Sequence, residues 1–180
     1  HYKGFNHLIK ALTKAEGKLL IIGEGPKRRE LESEIRSMNL RERAFLLGEI
    51  EDITPYYQAC EIFVLPSISR AEGFGIVQLE AMANGKPVIN TQIDSGVPCV
   101  SIHGVTGVTV PPRDSNALAK AINQLLDDEE LRAKYGKAAR ERVESEFTLE
   151  KMVERTLEVY SKVTSVSVDR VLDHEVYAHT

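Results

Sequence analysis

The amino-acid sequence predicts an α/β protein with a doubly wound, mainly parallel sheet and helices on both of its faces. Short apolar runs alternate with segments of helical period along much of the chain, which is the pattern of β-α-β units. The apolar runs are continuous, as in strands that are buried on both sides. Right-handed crossovers then cover both faces of the sheet with helices.

The first elements follow from local patterns. Residues 4–14 place their apolar side chains on one helical face. Residues 18–23 and 44–48 are short apolar runs that end in glycine, as buried strands do. Between them, residues 24–38 form a turn and a helix, with Pro26 near the first helical position.

A short helix, a strand and a second helix are predicted between residues 53 and 85. Residues 53–59 predict a short helix, and residues 61–67 predict a strand that stops at Pro66. A further helix is expected to start near Gly75 and to stop at Gly85, which is a typical residue just after a helix.

The remaining pattern is two strands followed by helices. The apolar runs 86–91 and 107–112 predict the strands, and the helical stretches are 114–128, 129–146 and 148–163, with breaks near Gly136 and at 147–148. Residues 164–180 alternate weakly, so a strand, a docking tail and a disordered end all stay open for them.

Size and charge exclude several classes of protein. The chain has 180 residues, enough for one domain and short for two. Its formal net charge of −4 argues against binding to nucleic acid. It has no apolar run of the roughly 18 residues needed to span a bilayer and no recognisable signal peptide. We therefore expect a cytoplasmic protein, with the inner face of the membrane as a second location.

Cys60 and Cys99 lack metal-ligand spacing, so we expect reduced thiols.

Two glutamates flank a glycine turn in the stretch RAEGFGIVQLE (70–80). Glu72 lies at the predicted carboxyl edge of the sheet, where such folds bind ligands. Glu80 lies on the following helix. At about 100° per residue, this helix should turn one apolar stripe inward, put Glu80 at its edge and point two polar residues to solvent. The stripe is Ile76, Leu79 and Ala83, and the solvent-facing residues are Gln78 and Asn84.

The role of the two carboxylates has more than one interpretation. A carboxylate such as Glu80 at the margin of an apolar face needs a partner, and either ligand hydroxyls or a structural donor would serve. Glu72 could bind a ligand or complement the helix dipole. The backbone amides of Gly75, Ile76 and Val77 at the helix start suit a phosphate. A sugar attached to a diphosphate would need both kinds of group.

These motifs resemble the signature of the retaining glycosyltransferases of the GT-B class that are often called family four. Its hallmark is E-x7-E, here Glu72 and Glu80, within EGFGIVQLEAMANGKPVI (72–89). The resemblance extends to YKGFNHLIKAL, IIGEGPKRRELE, LLGEI, YYQACEIFVLPS and HGVTGVTVPPRDSNALAKAINQLLDD. Together these segments cover about residues 2–163.

The resemblance implies specific site residues. Glu72 is expected to be the catalytic residue, facing the hydroxyls of the donor sugar near the reacting carbon. Glu80 would accept hydrogen bonds from the ribose, and Lys3 would meet the diphosphate. The residues implied to bind the donor are Lys3, Gly23, Ile50, Phe74, Gly75, Ile76, Val77 and Glu80, with Gly23 and Ile50 lining the nucleotide pocket.

The resemblance also implies an organisation and a reaction. Residues 1–163 would be the C-terminal donor-nucleotide-binding domain of a GT-B enzyme, Rossmann-like and lacking its first strand, with 164–180 as a tail. The N-terminal acceptor domain is expected to be absent from this chain, which alone would be inactive. A sugar would move, with retention, from a UDP- or GDP-sugar to a saccharide, lipid-linked or other hydroxyl acceptor. No metal and no cofactor are expected, and the parent protein could associate peripherally with a membrane.

Departures from the family pattern and rival functions remain. An arginine that usually precedes the lysine would lie before the start of this chain, and the usual GGxxE motif reads DSGVPCV (94–100). His103 is expected to be structural. The alternatives are a GT-B nucleotide-sugar enzyme of another reaction, an epimerase or a phosphorylase, and a non-catalytic nucleotide-sugar-binding module. A dinucleotide-binding domain ranks last, because GEGPKR (23–28) lacks the third glycine of G-x-G-x-x-G.

Overall fold

The computed structural model describes residues 2–164 and confirms the α/β class. The elements, in chain order, are α1 Phe5–Leu12, β1 Leu19–Ile22, α2 Arg28–Ser37, β2 Ala44–Gly48, α3 Thr54–Ala59, β3 Phe63–Val64, α4 Ile76–Ala83, β4 Val88–Thr91, α5 Val97–Val100, β5 Gly107–Val110, α6 Ser115–Asp127, α7 Glu129–Glu146 and α8 Leu149–Thr164. Of the tail predicted for 164–180, all but Thr164 lies outside the described residues.

Every pairing between the named strands is parallel. β1 pairs with β2, where Leu19 lies opposite Ala44. In the second group β4 is central, and its Val88 lies opposite both Phe63 of β3 and Gly107 of β5. Parallel strands that are joined by helical crossovers bring their carboxyl ends to one edge. That edge carries the loops that hold the candidate site.

Helix α1 packs into two hydrophobic clusters at once. Its Leu8 lies with Ile89 of β4 and Leu118 of α6, and its Ile9 lies with Ile21 of β1 and Ile35 of α2. Successive helical residues point about 100° apart, so one amphipathic helix can serve two groups. α1 is therefore held on two sides, and Lys3 lies directly before its N-cap, Gly4.

The structure departs from the predicted elements in four places. β3 is shorter than the predicted 61–67 at both ends, and Pro66, which has no N–H, stops the ladder after the Leu65 amide donates to the Ile89 carbonyl. α2 begins at Arg28, two residues after Pro26. The four-residue helix α5 has no apolar period long enough to be recognised. The break predicted near Gly136 is wrong, because α7 runs through it.

Gly136 serves close packing rather than helix termination. A Cβ built on Gly136 would lie 2.1 Å from the carbonyl oxygen of Gly85. Gly85, with φ 70°, is the turn residue that follows α4, so the predicted stop there is confirmed. Only glycine lets α7 approach this turn so closely.

The chain divides into two compact units between Glu141 and Arg142. Within the described part of the second unit, Arg155 pairs with Glu146 at 2.5 Å, and the Arg142 guanidinium lies 5.2 Å from the centre of the Phe147 ring. These contacts join the end of α7 to α8. Among residues 2–164, no helix combines the length and the apolar character that crossing a membrane requires.

Replacing Gly136 by alanine should lower the free energy of unfolding. Alanine is the better helix former by about 1 kcal/mol, but the clash with Gly85 should cost about 1–3 kcal/mol and outweigh that gain. Urea denaturation would measure the difference. The control is Gly25→Ala, since a Cβ there meets nothing within 4 Å. A Gly136→Ala variant as stable as Gly25→Ala would contradict the packing role.

Candidate functional site

The start of the chain is tied to the loop after β3. The Ile68 amide donates to the carbonyl oxygen of Tyr2 at 2.8 Å. Gly4, the N-cap of α1, has φ 72°, and a Cβ there would lie 2.0 Å from the Pro66 carbonyl oxygen. Glycine is therefore required at this crossing. The crossing holds Lys3 against the loop that carries Glu72.

Lys3 and Glu72 form an ion pair across 69 residues of sequence. The Lys3 ammonium lies 2.6 Å from Oε2 of Glu72, and the Ser67 hydroxyl donates to the same oxygen at 3.0 Å. Glu72 is only 7% exposed, so its charge needs such partners. Burial alone would lower the pKa of Lys3, but the hydrogen bond to Glu72 and the charge of that carboxylate raise it on balance. Lys3 therefore stays an ammonium.

Helix α4 begins directly beyond this pair. Its N-cap, Gly75, is in the left-handed region at φ 72° and ψ 60°, and a Cβ there would lie 2.6 Å from Cδ2 of Leu65. No side chain caps this helix. The first amides of a helix have no acceptor within the helix, so those of Ile76 and Val77 are available to an anion. The predicted start of the helix is confirmed.

The predicted orientation of α4 is wrong. Gln78, expected to face solvent, is fully buried, whereas Ile76, expected to face inward, is 65% exposed. Ala83 is exposed too. The buried face of α4 is instead made by Gln78, Ala81 and Met82. The reason is that the Gln78 amide has hydrogen-bond partners in the interior, which removes the cost of burying it.

Glu80 is exposed rather than at a buried edge. Its Oε2 accepts a hydrogen bond of 2.8 Å from the Tyr57 hydroxyl, and its described contacts leave Oε1 to a ligand. Tyr57 is buried in α3, and its ring packs against Phe63 at 5.8 Å between centroids. Burial first, and then the bond to Glu80, raise the pKa of Tyr57 above its ordinary value of 10.0. The sequence carried no signal that separates Tyr57 from Tyr56.

The two predicted pocket-lining residues, Gly23 and Ile50, lie at the other strand ends. The Gly23 amide donates to the Gly48 carbonyl at 2.7 Å, and a Cβ on Gly23 would meet nothing within 4 Å. Ile50 follows β2 and is half-buried. Within residues 2–164, no described hydrogen bond or ion pair joins either residue to Lys3, Glu72 or Glu80. Among the predicted residues, Lys3 and Glu72 are joined by a direct contact between their side chains.

Phe74 and the loop before α5 lie against each other. Phe74 is 40% exposed, and a Cβ on Gly96 would lie 3.0 Å from its ring. The Gly96 amide donates to the Gly73 carbonyl at 2.7 Å. The DSGVPCV loop, which departs from the family pattern, therefore binds the glycine turn through its backbone.

The other residues considered from sequence have structural surroundings. His103 accepts a hydrogen bond from the Thr109 amide through Nδ1 at 3.0 Å, as expected of a structural histidine. Within residues 2–164, neither Cys60 nor Cys99 forms a disulfide. Asp128 caps the first turn of α7 by accepting from the Leu131 amide. In the described part of the chain, no cluster of three or more His, Cys, Asp or Glu side chains could hold a metal ion.

Comparison with protein families and sequences identifies the relatives of this chain. The family described as "Glycosyl transferases group 1" matches residues 1–142. The O-antigen chain mannosyltransferase C of Escherichia coli is 33% identical over 89% of this chain and 44% of its own length. The N-acetyl-alpha-D-glucosaminyl L-malate synthase of Bacillus anthracis is 34% identical, over 86% and 40%. This chain therefore spans about two fifths of the length of these relatives.

Solved structures with the same fold include ligand complexes. The sucrose-phosphate synthase of Thermosynechococcus elongatus has a TM-score of 0.80 at 34% identity, and the match covers 92% of this chain and 43% of that one. The Anabaena protein HepE in complex with UDP has a TM-score of 0.82 at 28% identity, covering 89% and 46%. These similarities extend over most of the described residues.

Replacing Tyr57 by phenylalanine should cost about 1 kcal/mol at neutral pH, the usual worth of one hydrogen bond. It should also reduce the loss of stability in alkali. Above pH about 10 the unfolded tyrosine loses its proton while the folded one keeps it, so the free energy of unfolding falls as the pH rises. Denaturant titrations of both proteins on either side of that pH would measure the effect. Equal alkaline slopes would contradict the environment assigned to Tyr57.

Proposed function

Because the chain belongs to the group 1 glycosyl transferases, we propose that it is the donor-binding half of an enzyme that moves a sugar from a nucleotide diphosphate sugar to an acceptor hydroxyl. The observation that carries this proposal is the Lys3–Glu72 pair lying directly before the uncapped start of α4. The pair supplies a cation and a carboxylate, and the start of α4 adds backbone amides that no side chain caps. These groups match the leaving diphosphate and the transferred sugar of such a donor.

Departure of the diphosphate is the step that this site would assist. Negative charge grows on the diphosphate as its bond to the sugar breaks, and fixed positive groups stabilise that charge. Lys3 and the amides of Gly75, Ile76 and Val77 would supply them. The Lys3 side chain is 38% exposed, so it can contact an incoming anion while it still touches Glu72. No resident metal or cofactor is needed for this role.

Glu72 is assigned to the sugar. Its Oε2 is held by Lys3 and Ser67, and its described contacts leave Oε1 to accept a sugar hydroxyl. A carboxylate that already binds an ammonium and a hydroxyl is a poor nucleophile, so we assign it to positioning the sugar and to easing the oxocarbenium-like charge near the reacting carbon. Transfer with retention is part of the proposal.

The nucleoside is assigned to the remaining residues. Glu80 would accept from the ribose hydroxyls through Oε1, while Tyr57 holds its other oxygen. Gly23 and Ile50 would line the base pocket, and Phe74 would flank the sugar. The UDP complex of the Anabaena protein supports a uridine diphosphate donor, and a GDP-sugar stays a prediction from the sequence.

The acceptor belongs to the rest of the enzyme. The matched relatives are more than twice as long as the aligned part of this chain, which supports a second domain that holds the acceptor. The names of these relatives include an O-antigen chain mannosyltransferase and an N-acetyl-alpha-D-glucosaminyl L-malate synthase. We therefore propose a hydroxyl acceptor without naming it. The cytoplasmic location and the peripheral membrane association stay predictions from the sequence.

Calorimetric titration of this chain with UDP and GDP tests the proposal. Binding of one of them with measurable heat is expected. Changing Lys3 to glutamine should weaken that binding by about 1.5–3 kcal/mol, the worth of a hydrogen bond to a charged group, while keeping a donor for Glu72. Lys10→Gln, on the exposed end of α1, is the matched control and should bind as the unchanged chain does. Absence of binding to both nucleotides would overturn the proposed donor site.

Changing Glu80 to alanine should weaken binding of the same nucleotide by about 1–3 kcal/mol, because the hydrogen bonds between Glu80 and the ribose are lost. Glu61→Ala removes another exposed carboxylate, at the amino end of β3, and should have no effect. Titrations of both variants with UDP and GDP measure the difference. An affinity unchanged in Glu80→Ala would remove Glu80 from the donor site and leave the role of Lys3 intact.

A further inference from the structure

We propose that Gln78 is a positioning residue for the diphosphate, because its buried side-chain amide fixes the direction in which the Gly75 N–H points. The inference rests on the proposed function, since it assigns the Gly75 amide to the donor. It adds a residue that lies outside the glutamate pair and that never touches the ligand. Its grounds are the hydrogen bonds of Gln78 and the planarity of one peptide group.

Gln78 reaches back to the residue before the helix. Its Nε2 donates to the Phe74 carbonyl oxygen at 2.8 Å and lies 3.2 Å from the Val97 carbonyl oxygen. Gln78 is fully buried, so these bonds form away from water and are expensive to lose. They hold the Phe74 carbonyl toward the interior.

The carbonyl of Phe74 and the N–H of Gly75 belong to one peptide group. The described chain has no cis peptide bond, and in a trans peptide the C=O and the N–H point in opposite directions within one plane. A carbonyl that points to Gln78 therefore turns the Gly75 N–H away from it. That N–H then faces the side on which the donor diphosphate is proposed to lie.

A second buried amide fixes which end of Gln78 donates. Nδ2 of Asn90 lies 3.3 Å from Oε1 of Gln78, 3.2 Å from the Val97 carbonyl oxygen and 3.4 Å from that of Ser101. Carbonyl oxygens only accept, so this nitrogen must donate, and Oε1 of Gln78 must accept. The Thr109 hydroxyl donates to the other end of Asn90 at 2.7 Å. The Gln78 nitrogen is thereby left to donate to Phe74.

The glycine turn explains why such a restraint is needed. Gly73 and Gly75 flank Phe74, and glycine has little intrinsic preference between backbone conformations. An apolar side chain at position 78 could fill the same space, but it would remove the amide that donates to the Phe74 carbonyl and so one restraint on the orientation of this peptide. Gln78 therefore orients the Gly75 amide before the donor arrives, which reduces the ordering cost of binding.

Two near-isosteric variants separate positioning from general stability. Gln78→Met keeps the length of the side chain and removes its amide. Thr109→Val removes a hydroxyl from the far end of the same network and leaves the Phe74 carbonyl bonded. Both should lower the melting temperature measured by circular dichroism. The ligand is whichever of UDP and GDP the unchanged chain binds. Only Gln78→Met should weaken the affinity for this nucleotide, by roughly tenfold, because one charge-assisted contact is lost.

Each outcome bears on the inference. An unchanged affinity in Gln78→Met overturns it, and so does an equal loss in Thr109→Val. If the unchanged chain binds neither nucleotide, the proposed function fails first and the inference fails with it. Should Gln78→Met not fold, the unchanged chain carries the test by nuclear magnetic resonance. The resonance of the Gly75 amide proton should shift when the nucleotide that the chain binds is added. A Gly75 resonance that stays in place while other resonances shift overturns the inference.

Discussion

The ion pair between Lys3 and Glu72 is the contact on which the candidate site depends. A carboxylate that is 7% exposed is costly to keep charged, and the ammonium that offsets this cost comes from the far end of the sequence. The pair forms only because Gly4 allows the chain to cross under the Pro66 carbonyl. Packing of the first helix and chemistry of the site are therefore coupled.

A second level of order comes from parallel strand pairing. β3, β4 and β5 run the same way, so the loop with Glu72 and the start of α4 emerge at one edge, where an anion can meet several amides. Interior amide groups then stabilise these loops. The backbone of the 73–75 turn is bonded both to Gln78 and to Gly96, which leaves a glycine-rich segment in one conformation.

The sequence was sufficient for most elements, because long apolar periods and glycine or proline boundaries are local signals. The resemblance also predicted Lys3, Glu72 and Glu80 as site residues, and the structure brings the first two of these into contact. The sequence was insufficient for α4, where the spacing of about 100° per residue assigned Ile76 to the interior and Gln78 to solvent. Burial of Gln78 depends on partners from β4 and α5, and no local pattern reports them. The same limit applies to Tyr57, whose bond to Glu80 joins two helices, and to Gly136, whose partner Gly85 is distant in sequence.

The backbone hydrogen bond from Ile68 to Tyr2 has a practical consequence for how the gene can be trimmed. An expression boundary placed after Gly4 would leave α1 intact by every secondary-structure criterion, yet Glu72 would lose its counter-ion and Ile68 its acceptor. If this shortened protein failed to fold, the failure would be wrongly attributed to the domain itself. Residues 2–4 should be treated as part of the fold, because Tyr2, Lys3 and Gly4 all contact the loop after β3.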